Sequence, residues 1–234
     1  KYNYMISPNP FCSKVFPSAF GINKERLIET GYPRCDVLVN TKAEDISKIK
    51  QKYGIPQDKK VVLYAPTWRD NSFVAKGYTF KLQVDFAKWK EILGEEYVVI
   101  FKPHYLIIND FDMEAYKGFV YEIEASADIA QLYLISDICI TDYSSVFFDY
   151  ANLKRPIIFY MYDLKKYRDD IRGFYLSLEE LPGKIIENDD ELIEEIKNVS
   201  NNFKYDEKYK KFNDKFNYLD DGQASKRVIE KIFH

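Results

Sequence analysis

Four short apolar runs along the middle of the chain constrain the fold more than any other feature of this sequence. They are rich in β-branched and aromatic side chains and occupy residues 61–65, 97–101, 138–141 and 157–160. Continuous runs of this kind are typical of strands buried on both faces of a parallel sheet. Helical stretches at 85–93, 127–135 and 146–153 alternate with them. The pattern predicts an α/β fold, with a Rossmann-like parallel sheet and flanking helices.

Turn-forming segments divide the chain into two parts. Residues 1–40 contain SPNP and GYP and are too short for a core of their own, so we interpret them as a linker and the end of a preceding domain. Residues 41–234 are long enough to bury a sizeable core and are predicted to form one domain. Its last part is predicted to be helical, with Asp189 and Asp190 capping the first helix. These helices are expected over 191–199, within 205–218 and within 224–233.

Composition and charge exclude several classes of protein. The 34 Lys and Arg residues are balanced by 37 Asp and Glu residues, whereas a general nucleic-acid binder carries a marked basic excess. The longest apolar runs are far below the ~20 residues that cross a bilayer. Three cysteines without CxxC spacing argue against a disulfide framework or a zinc site. We therefore predict a cytoplasmic protein, because the cytoplasm is a reducing compartment.

The segment 203–216 mixes lysine with aromatic residues, as helices on a membrane surface do. Anionic lipid would attract such a helix and would place the protein at the inner face of the plasma membrane. The alternative is a helix whose aromatic side chains pack in the core.

The residues that directly follow the predicted strands are candidates for ligand binding, because open parallel sheets bind ligands beyond the carboxyl ends of their strands. Thr67 and Arg69 follow the first strand, and the Arg69 guanidinium could bind phosphate as a bidentate fork. Lys102 and His104 follow the second strand. A cation and an imidazole there could neutralise phosphate and exchange a proton near neutral pH. The alternatives are a surface pair of Arg69 with Asp70 and a structural histidine.

The segment TDYSS at residues 141–145 predicts an anion site at the end of the third strand. It places two hydroxyls in a turn, and the following helix offers backbone N–H groups and its positive dipole end. Ser144 and Ser145 are therefore candidates for binding a diphosphate. Asp142 and Asp149 are candidates for the nucleoside, because acidic residues bind ribose hydroxyls in nucleotide sites. The alternatives are a plain N-cap at Ser144 and a solvated Asp149.

Motifs of other enzyme classes are absent from the sequence. It contains neither GxGxxG nor GxxxxGK[ST], so neither a dinucleotide oxidoreductase nor a P-loop enzyme is supported. Ser144 also lacks the flanking glycines of the GxSxG motif of serine hydrolases.

Seven short motifs, taken in order, resemble the CDP-glycerol glycerophosphotransferase family, whose members are teichoic acid and capsule polyol-phosphate polymerases. They are GYPRCD (31–36), APTWRD (65–70), FKPH (101–104), TDYSS (141–145), FDY (148–150), RGF (172–174) and DGQAS (221–225). The ordered set is more specific than any one motif. The resemblance implies the C-terminal, nucleotide-binding domain of a GT-B-like transferase.

The resemblance implies transfer of glycerol phosphate from CDP-glycerol to a hydroxyl of a growing polymer, with release of CMP. His104 matches the motif histidine to which catalysis is assigned, and the serine pair matches the diphosphate-binding turn. Arg34 and Arg172 are further candidate contacts of the donor. Cys35 stands where the family pattern has Asn, which weakens the match at its neighbour Arg34. No cofactor and no metal ligand is predicted from the sequence, and whether the reaction requires a metal is left open.

Three other functions remain open from the sequence. They are transfer from CDP-ribitol, a nucleotide-sugar glycosyltransferase of the same architecture, and a non-catalytic domain that docks a synthase complex on the membrane through 203–216. The resemblance covers only one half of a two-domain enzyme. The base that activates the acceptor is therefore expected in the other half, and this chain alone is expected to bind the donor without turning it over.

Overall fold

A six-stranded parallel sheet lies at the centre of the molecule. The computed structural model describes residues 3–67, 73–74, 77–79, 82–103, 107–108, 113–124, 126–167 and 176–233. The strands are β1 (Met5–Ser7), β2 (Leu27–Glu29), β3 (Lys60–Ala65), β4 (Phe73–Val74), β5 (Gly77–Thr79), β6 (Tyr97–Phe101), β7 (Ile107–Ile108), β8 (Val120–Glu122), β9 (Ile138–Thr141), β10 (Ile157–Tyr160) and β11 (Lys184–Ile186). A β1–β2 pair and a three-stranded sheet of β4, β5 and β7 accompany the central sheet.

The strand order of the central sheet is β11-β10-β9-β3-β6-β8. The four predicted strands are confirmed as its inner strands. Strands β8 and β11 at the edges have three residues each, too few for a readable pattern. From β3 the chain runs outward through β6 and β8 and then crosses to β9 on the other side of β3. The β3–β9 junction is therefore the topological switch point, where open α/β sheets bind ligands.

Ten α-helices are assigned within the described residues. They are α1 (Pro10–Phe20), α2 (Asp36–Asn40), α3 (Ala43–Lys52), α4 (Phe86–Leu93), α5 (Ile129–Ile135), α6 (Val146–Tyr150), α7 (Leu164–Lys166), α8 (Asp189–Asn202), α9 (Glu207–Phe216) and α10 (Ala224–Phe233). The predicted helices are confirmed, with ends shifted by a few residues. The one predicted over 146–153 divides into α6 and a 3-10 turn, Ala151–Leu153.

The prediction that Asp189 and Asp190 cap α8 is wrong. The N-cap is Asn188, whose side chain accepts a hydrogen bond from the Glu191 backbone N–H at 2.9 Å. Asp189 lies in the first turn, and its carboxylate accepts from Trp89 Nε1 at 2.7 Å. An asparagine caps a helix as well as an aspartate does, and Asp189 serves instead to join α8 to α4.

Both faces of the central sheet are covered, as the continuous apolar runs require. Val61 and Leu63 of β3 belong to the core on the side of α5, α6 and α9. Val62 and Tyr64 belong to the core on the opposite side, where Trp89 of α4 packs. All five side chains are buried.

The aromatic face of α9 is part of the core. Tyr209, Phe212 and Phe216 are buried, and the Phe212 ring centroid lies 5.4 Å from that of Phe148 in α6. The aromatic side chains that would enter lipid are therefore packed inside the protein, so the alternative of a helix whose aromatic side chains pack in the core is confirmed. A membrane contact of the protein stays a prediction. Among the described residues, no helix combines the length and the apolar character needed to span a membrane.

The first forty residues pack against the C-terminal helices. Asn9 Nδ2 donates to the Phe216 carbonyl at 2.7 Å, and Arg227 Nε donates to the Thr30 carbonyl at 2.9 Å. The Asp36 carboxylate accepts from the backbone N–H of Ala224 at 2.9 Å, at the start of α10. These contacts hold the GYPRCD segment on the body of the fold. The domain division at residue 40 stays a prediction.

Candidate functional site

The carboxyl ends of three inner strands carry polar residues singled out from the sequence. Thr67 follows β3, Lys102 follows β6, and the turn 142–145 follows β9. Because the three strands are parallel neighbours, their carboxyl ends share one edge of the sheet. The structure thus brings Thr67 and the turn together at the switch point, with Lys102 one strand away at the same edge of the sheet.

The carboxylate of Asp142 joins the ends of β3 and β9. Asp142 is buried, with only 2% of its surface exposed. Asp142 Oδ1 accepts from Thr67 N at 3.0 Å, from Thr67 Oγ1 at 2.7 Å and from Tyr143 N at 2.7 Å. Asp142 and Thr67 therefore bind each other and shape the turn. Their assignment as direct donor contacts stays a prediction.

The serine pair lies where the turn becomes α6. Ser144 is half-buried, and its Oγ accepts from Val146 N at 3.3 Å. Ser145 is exposed and occupies the N-cap position without a side-chain capping bond. The Ser145 hydroxyl thus makes no capping hydrogen bond to the helix. It lies at the amino end of α6, which is the positive end of the helix dipole.

Asp149 lies in α6, one turn beyond the serines, and pairs with Arg34. Arg34 Nε donates to Asp149 Oδ2 at 2.9 Å, and Arg34 Nη2 donates to Asp149 Oδ1 at 3.1 Å. The Cys35 thiol lies 3.6 Å from Asp149 Oδ1. Asp149 is buried, so the alternative of a solvated face residue is wrong. Its assignment to the ribose stays a prediction.

A cavity of about 210 Å³ lies beside this pair. Its walls are the turn at Pro33 and Arg34, helix α2, the first turn of α5, and Asp149. A larger cavity of about 630 Å³ lies elsewhere, lined by residues such as Tyr4 and Phe20. The smaller cavity is the better candidate for a ligand, because it shares Asp149 with the helix that follows the serine turn.

Lys102 is directed along the edge of the sheet. Its Nζ donates to the Glu124 carbonyl at 2.7 Å. Partial burial lowers the pKa of the Lys102 ammonium, and the negative charge of Glu124 opposes that shift. The side chain therefore places a cation, partly withdrawn from water, at the end of β6.

The identity of the chain follows from comparison with known proteins. A family model described as CDP-glycerol:poly(glycerophosphate) glycerophosphotransferase matches residues 1–234. The chain belongs to this glycerophosphotransferase family.

Relatives in the family include polymerases of two kinds. The teichoic acid poly(glycerol phosphate) polymerase of Bacillus subtilis (strain 168) is 48% identical over 99% of this chain and 32% of its own length. The teichoic acid poly(ribitol-phosphate) polymerase of Bacillus spizizenii is 34% identical over 99% of this chain and 37% of its own length. Similarity to the glycerol-phosphate polymerase is therefore the higher of the two.

A solved structure of a histidine variant of the wall teichoic acid polymerase TagF, soaked with CDPG, superposes with a TM-score of 0.89. It is 44% identical, and the match covers 99% of this chain and 57% of that one. The GT-B-like class predicted for this chain is thereby confirmed. The chain spans only about a third to three-fifths of the length of these proteins.

Three predicted site residues, His104, Arg69 and Arg172, lie outside the described residues. Their roles stay predictions. Within the described ranges, no group of three or more His, Cys, Asp or Glu side chains could hold a metal ion.

Several neighbours of the site were not predicted from the sequence. Tyr143 stacks on Tyr167 with ring centroids 3.5 Å apart, and its hydroxyl donates to Asp163 Oδ1 at 3.0 Å. The Tyr32 ring lies 4.0 Å from the Arg34 guanidinium carbon. Tyr143 could have been predicted as a neighbour of the site, because it directly precedes the serine pair in the sequence. Nothing near Arg34 in the sequence indicates that it pairs with Asp149.

Proposed function

We propose that this chain binds CDP-glycerol and takes part in the transfer of glycerol phosphate to a hydroxyl of a growing teichoic acid polymer, with release of CMP. The observation that carries the proposal is the family match along the whole chain. The higher similarity to a glycerol-phosphate polymerase than to a ribitol-phosphate polymerase favours CDP-glycerol over CDP-ribitol.

In this proposal the diphosphate of the donor lies against the start of α6. The exposed Ser145 hydroxyl would donate to its oxygens, and the positive dipole end of the helix would favour their negative charge. Lys102, with Arg69 after β3, would supply positive charge. The nucleoside would occupy the cavity beside Asp149, whose carboxylate would accept from ribose hydroxyls.

The reaction exchanges one phosphorus–oxygen bond for another. The acceptor hydroxyl oxygen attacks the β-phosphorus, and the bond from that phosphorus to the bridging oxygen breaks. CMP leaves with the bridging oxygen, and the acceptor proton passes to a base. We assign to His104 either a hydrogen bond to the phosphate or the protonation of the departing CMP oxygen, because an imidazole exchanges protons near neutral pH. The serine turn and the cations would stabilise the negative charge of the reacting phosphates.

A thermal-shift panel tests the donor. A ligand that binds only the folded state raises the melting temperature, so CDP-glycerol should give the largest rise among CDP-glycerol, CDP-ribitol, CMP and UDP-sugars. A larger rise with CDP-ribitol would reassign the alcohol. A response to UDP-sugars alone would favour a nucleotide-sugar glycosyltransferase.

The cytoplasmic location predicted from the sequence is part of this proposal. Cell fractionation tests it, and also tests whether the protein sediments with membranes. Recovery in the membrane fraction would require a membrane contact other than the aromatic face of α9, because that face is buried.

A further inference from the structure

The ion pair between Arg34 and Asp149 is asymmetric in its exposure. The Asp149 side chain is 12% exposed, whereas that of Arg34 is 55% exposed. A carboxylate withdrawn from water is costly unless charged donors compensate it. The guanidinium supplies this compensation with two parallel hydrogen bonds, an arrangement that also sets the orientation of the carboxylate plane.

The arginine is itself held in place before any ligand arrives. It lies in a 3-10 turn, Pro33–Cys35, that follows Gly31. Gly31 has a φ of +78°, and a Cβ there would lie 2.4 Å from the Leu219 carbonyl oxygen, so only glycine fits. Tyr32 N donates to Asp220 Oδ1 at 2.8 Å, and the Tyr32 ring contacts the guanidinium. The turn is therefore anchored before Arg34 by Tyr32 and after it by Asp36, whose carboxylate accepts from the backbone N–H of Ala224.

The carboxylate retains capacity to bind a ligand. A carboxylate can accept about four hydrogen bonds. Among the described residues, three donors reach Asp149: Arg34 Nε, Arg34 Nη2 and the Cys35 thiol. Arg34 and Asp149 both line the 210 Å³ cavity, so a hydroxyl in that cavity could become the fourth donor.

We propose that Arg34 is a positioning residue of the donor site, which acts through Asp149 by holding its carboxylate toward the ribose hydroxyls of the nucleotide. This inference rests on the proposed function, because it takes the ligand of the cavity to be the nucleoside of the donor. Lysine would not replace Arg34 fully, since an ammonium lacks the planar fork that fixes both oxygens.

Calorimetry with two nucleotides tests the proposal on the whole chain. Cytidine 5′-diphosphate presents both ribose hydroxyls, and its 2′,3′-dideoxy analogue presents neither. Arg34→Ala should lower the affinity for cytidine 5′-diphosphate about tenfold, which is the effect of one charge-assisted hydrogen bond. It should leave the affinity for the dideoxy analogue unchanged. Arg34→Lys should recover part of the loss. In an Asp149→Asn background, Arg34→Ala should have no further effect.

The matched control is Lys184→Ala. Lys184 Nζ pairs with Glu195 Oε2 at 3.0 Å, and the two side chains are 62% and 9% exposed, so this change also removes an exposed cation from a buried carboxylate. It should leave the affinity for both nucleotides unchanged. Circular dichroism melting identifies any variant that fails to fold, in which case Arg34→Lys and Asp149→Asn carry the test.

Two results separate this inference from the proposed function. If Arg34→Ala lowers the affinity for both nucleotides equally, or lowers neither affinity, the positioning role is wrong while donor binding stands. If the unmodified chain binds neither CDP-glycerol nor cytidine 5′-diphosphate, the proposed function fails, and the role of Arg34 fails with it.

Discussion

Two aspartates flank β9, and they bond to residues at opposite ends of the neighbouring β3 segment, with different consequences. At the amino end, Asp137 is exposed and its Oδ2 accepts from Val61 N of β3 at 2.7 Å. At the carboxyl end, Asp142 is buried and accepts from the backbone and hydroxyl of Thr67 and from Tyr143 N. The Asp137 carboxylate joins the amino ends of β3 and β9. The Asp142 carboxylate also shapes the turn that presents the serine pair.

The difference follows from the direction of the strands and helices. In a parallel sheet the helices begin at the carboxyl edge and end at the amino edge, so the carboxyl edge receives the positive ends of their dipoles. At the amino edge, the last carbonyls of α5 are occupied by Arg155, whose Nη1 donates to the Leu134 carbonyl at 2.8 Å. An anionic ligand is therefore favoured at the carboxyl edge.

The largest expected effect concerns His104, which follows the β6 segment in the sequence and lies outside the described residues. We predict that His104→Ala lowers kcat at least ~100-fold, the lower end for a general acid–base group. Steady-state polymerisation from CDP-glycerol measures this in a form of the enzyme that polymerises. Lys60→Ala is the control at the amino edge, where Lys60 Nζ donates to Ser200 Oγ at 2.7 Å. Normal turnover in His104→Ala would contradict the assignment.

The next effect compares the two aspartates directly. Asp142→Ala should lower the free energy of unfolding by about 3 kcal/mol, because donors of Thr67 and Tyr143 lose a buried charged acceptor, and it should also weaken CDP-glycerol binding. Asp137→Ala should cost about 1 kcal/mol and leave the affinity unchanged. Urea unfolding and calorimetry measure both quantities. Equal losses of affinity in the two variants would remove the functional distinction between the two ends of β9.

A smaller effect is expected at the serine turn. Replacing Ser144 and Ser145 together by Ala should lower the affinity for CDP-glycerol about tenfold. Stability should change little, because the change removes only a weak capping bond, which Val146 N donates to Ser144 Oγ at 3.3 Å. Ser177→Ala is a matched control, since Ser177 Oγ also accepts at 3.3 Å at the start of a helical turn. An unchanged affinity in the double variant would move the diphosphate elsewhere.

The smallest effect is a pH dependence from Lys102, whose pKa burial lowers from the ordinary 10.5. The ammonium therefore loses its proton at a lower pH than a free lysine does. Between that pKa and 10.5 the unfolded chain holds more protons, so stability rises with pH while affinity for CDP-glycerol falls. Calorimetry from about pH 7 to pH 9.5 should show a decline that Lys102→Arg removes, since arginine stays charged. A decline retained in Lys102→Arg would assign it to another group.

The inner strands could be predicted because each is buried on both faces. Residues 97–101 and 138–141 became β6 and β9 with the predicted ends. The edge strands β8 and β11 could not be predicted, because a strand of three residues is too short to show a periodic pattern. The burial of α9 was the open alternative, because an aromatic stripe looks the same whether it meets lipid or the core. The helix cap at Asn188 was missed because Asp, Asn and Ser cap equally well.

Local sequence was sufficient for the fold class and for the strand-end motifs, because continuous apolar runs and turn-forming residues act over a few positions. Partners of polar side chains depended on the folded chain. Arg34 and Asp149 are 115 positions apart, and Asp142 meets Thr67 across 75 positions. Packing of the GYPRCD turn against α6, and of β3 beside β9, creates these pairs. No pattern of neighbouring residues contains that information.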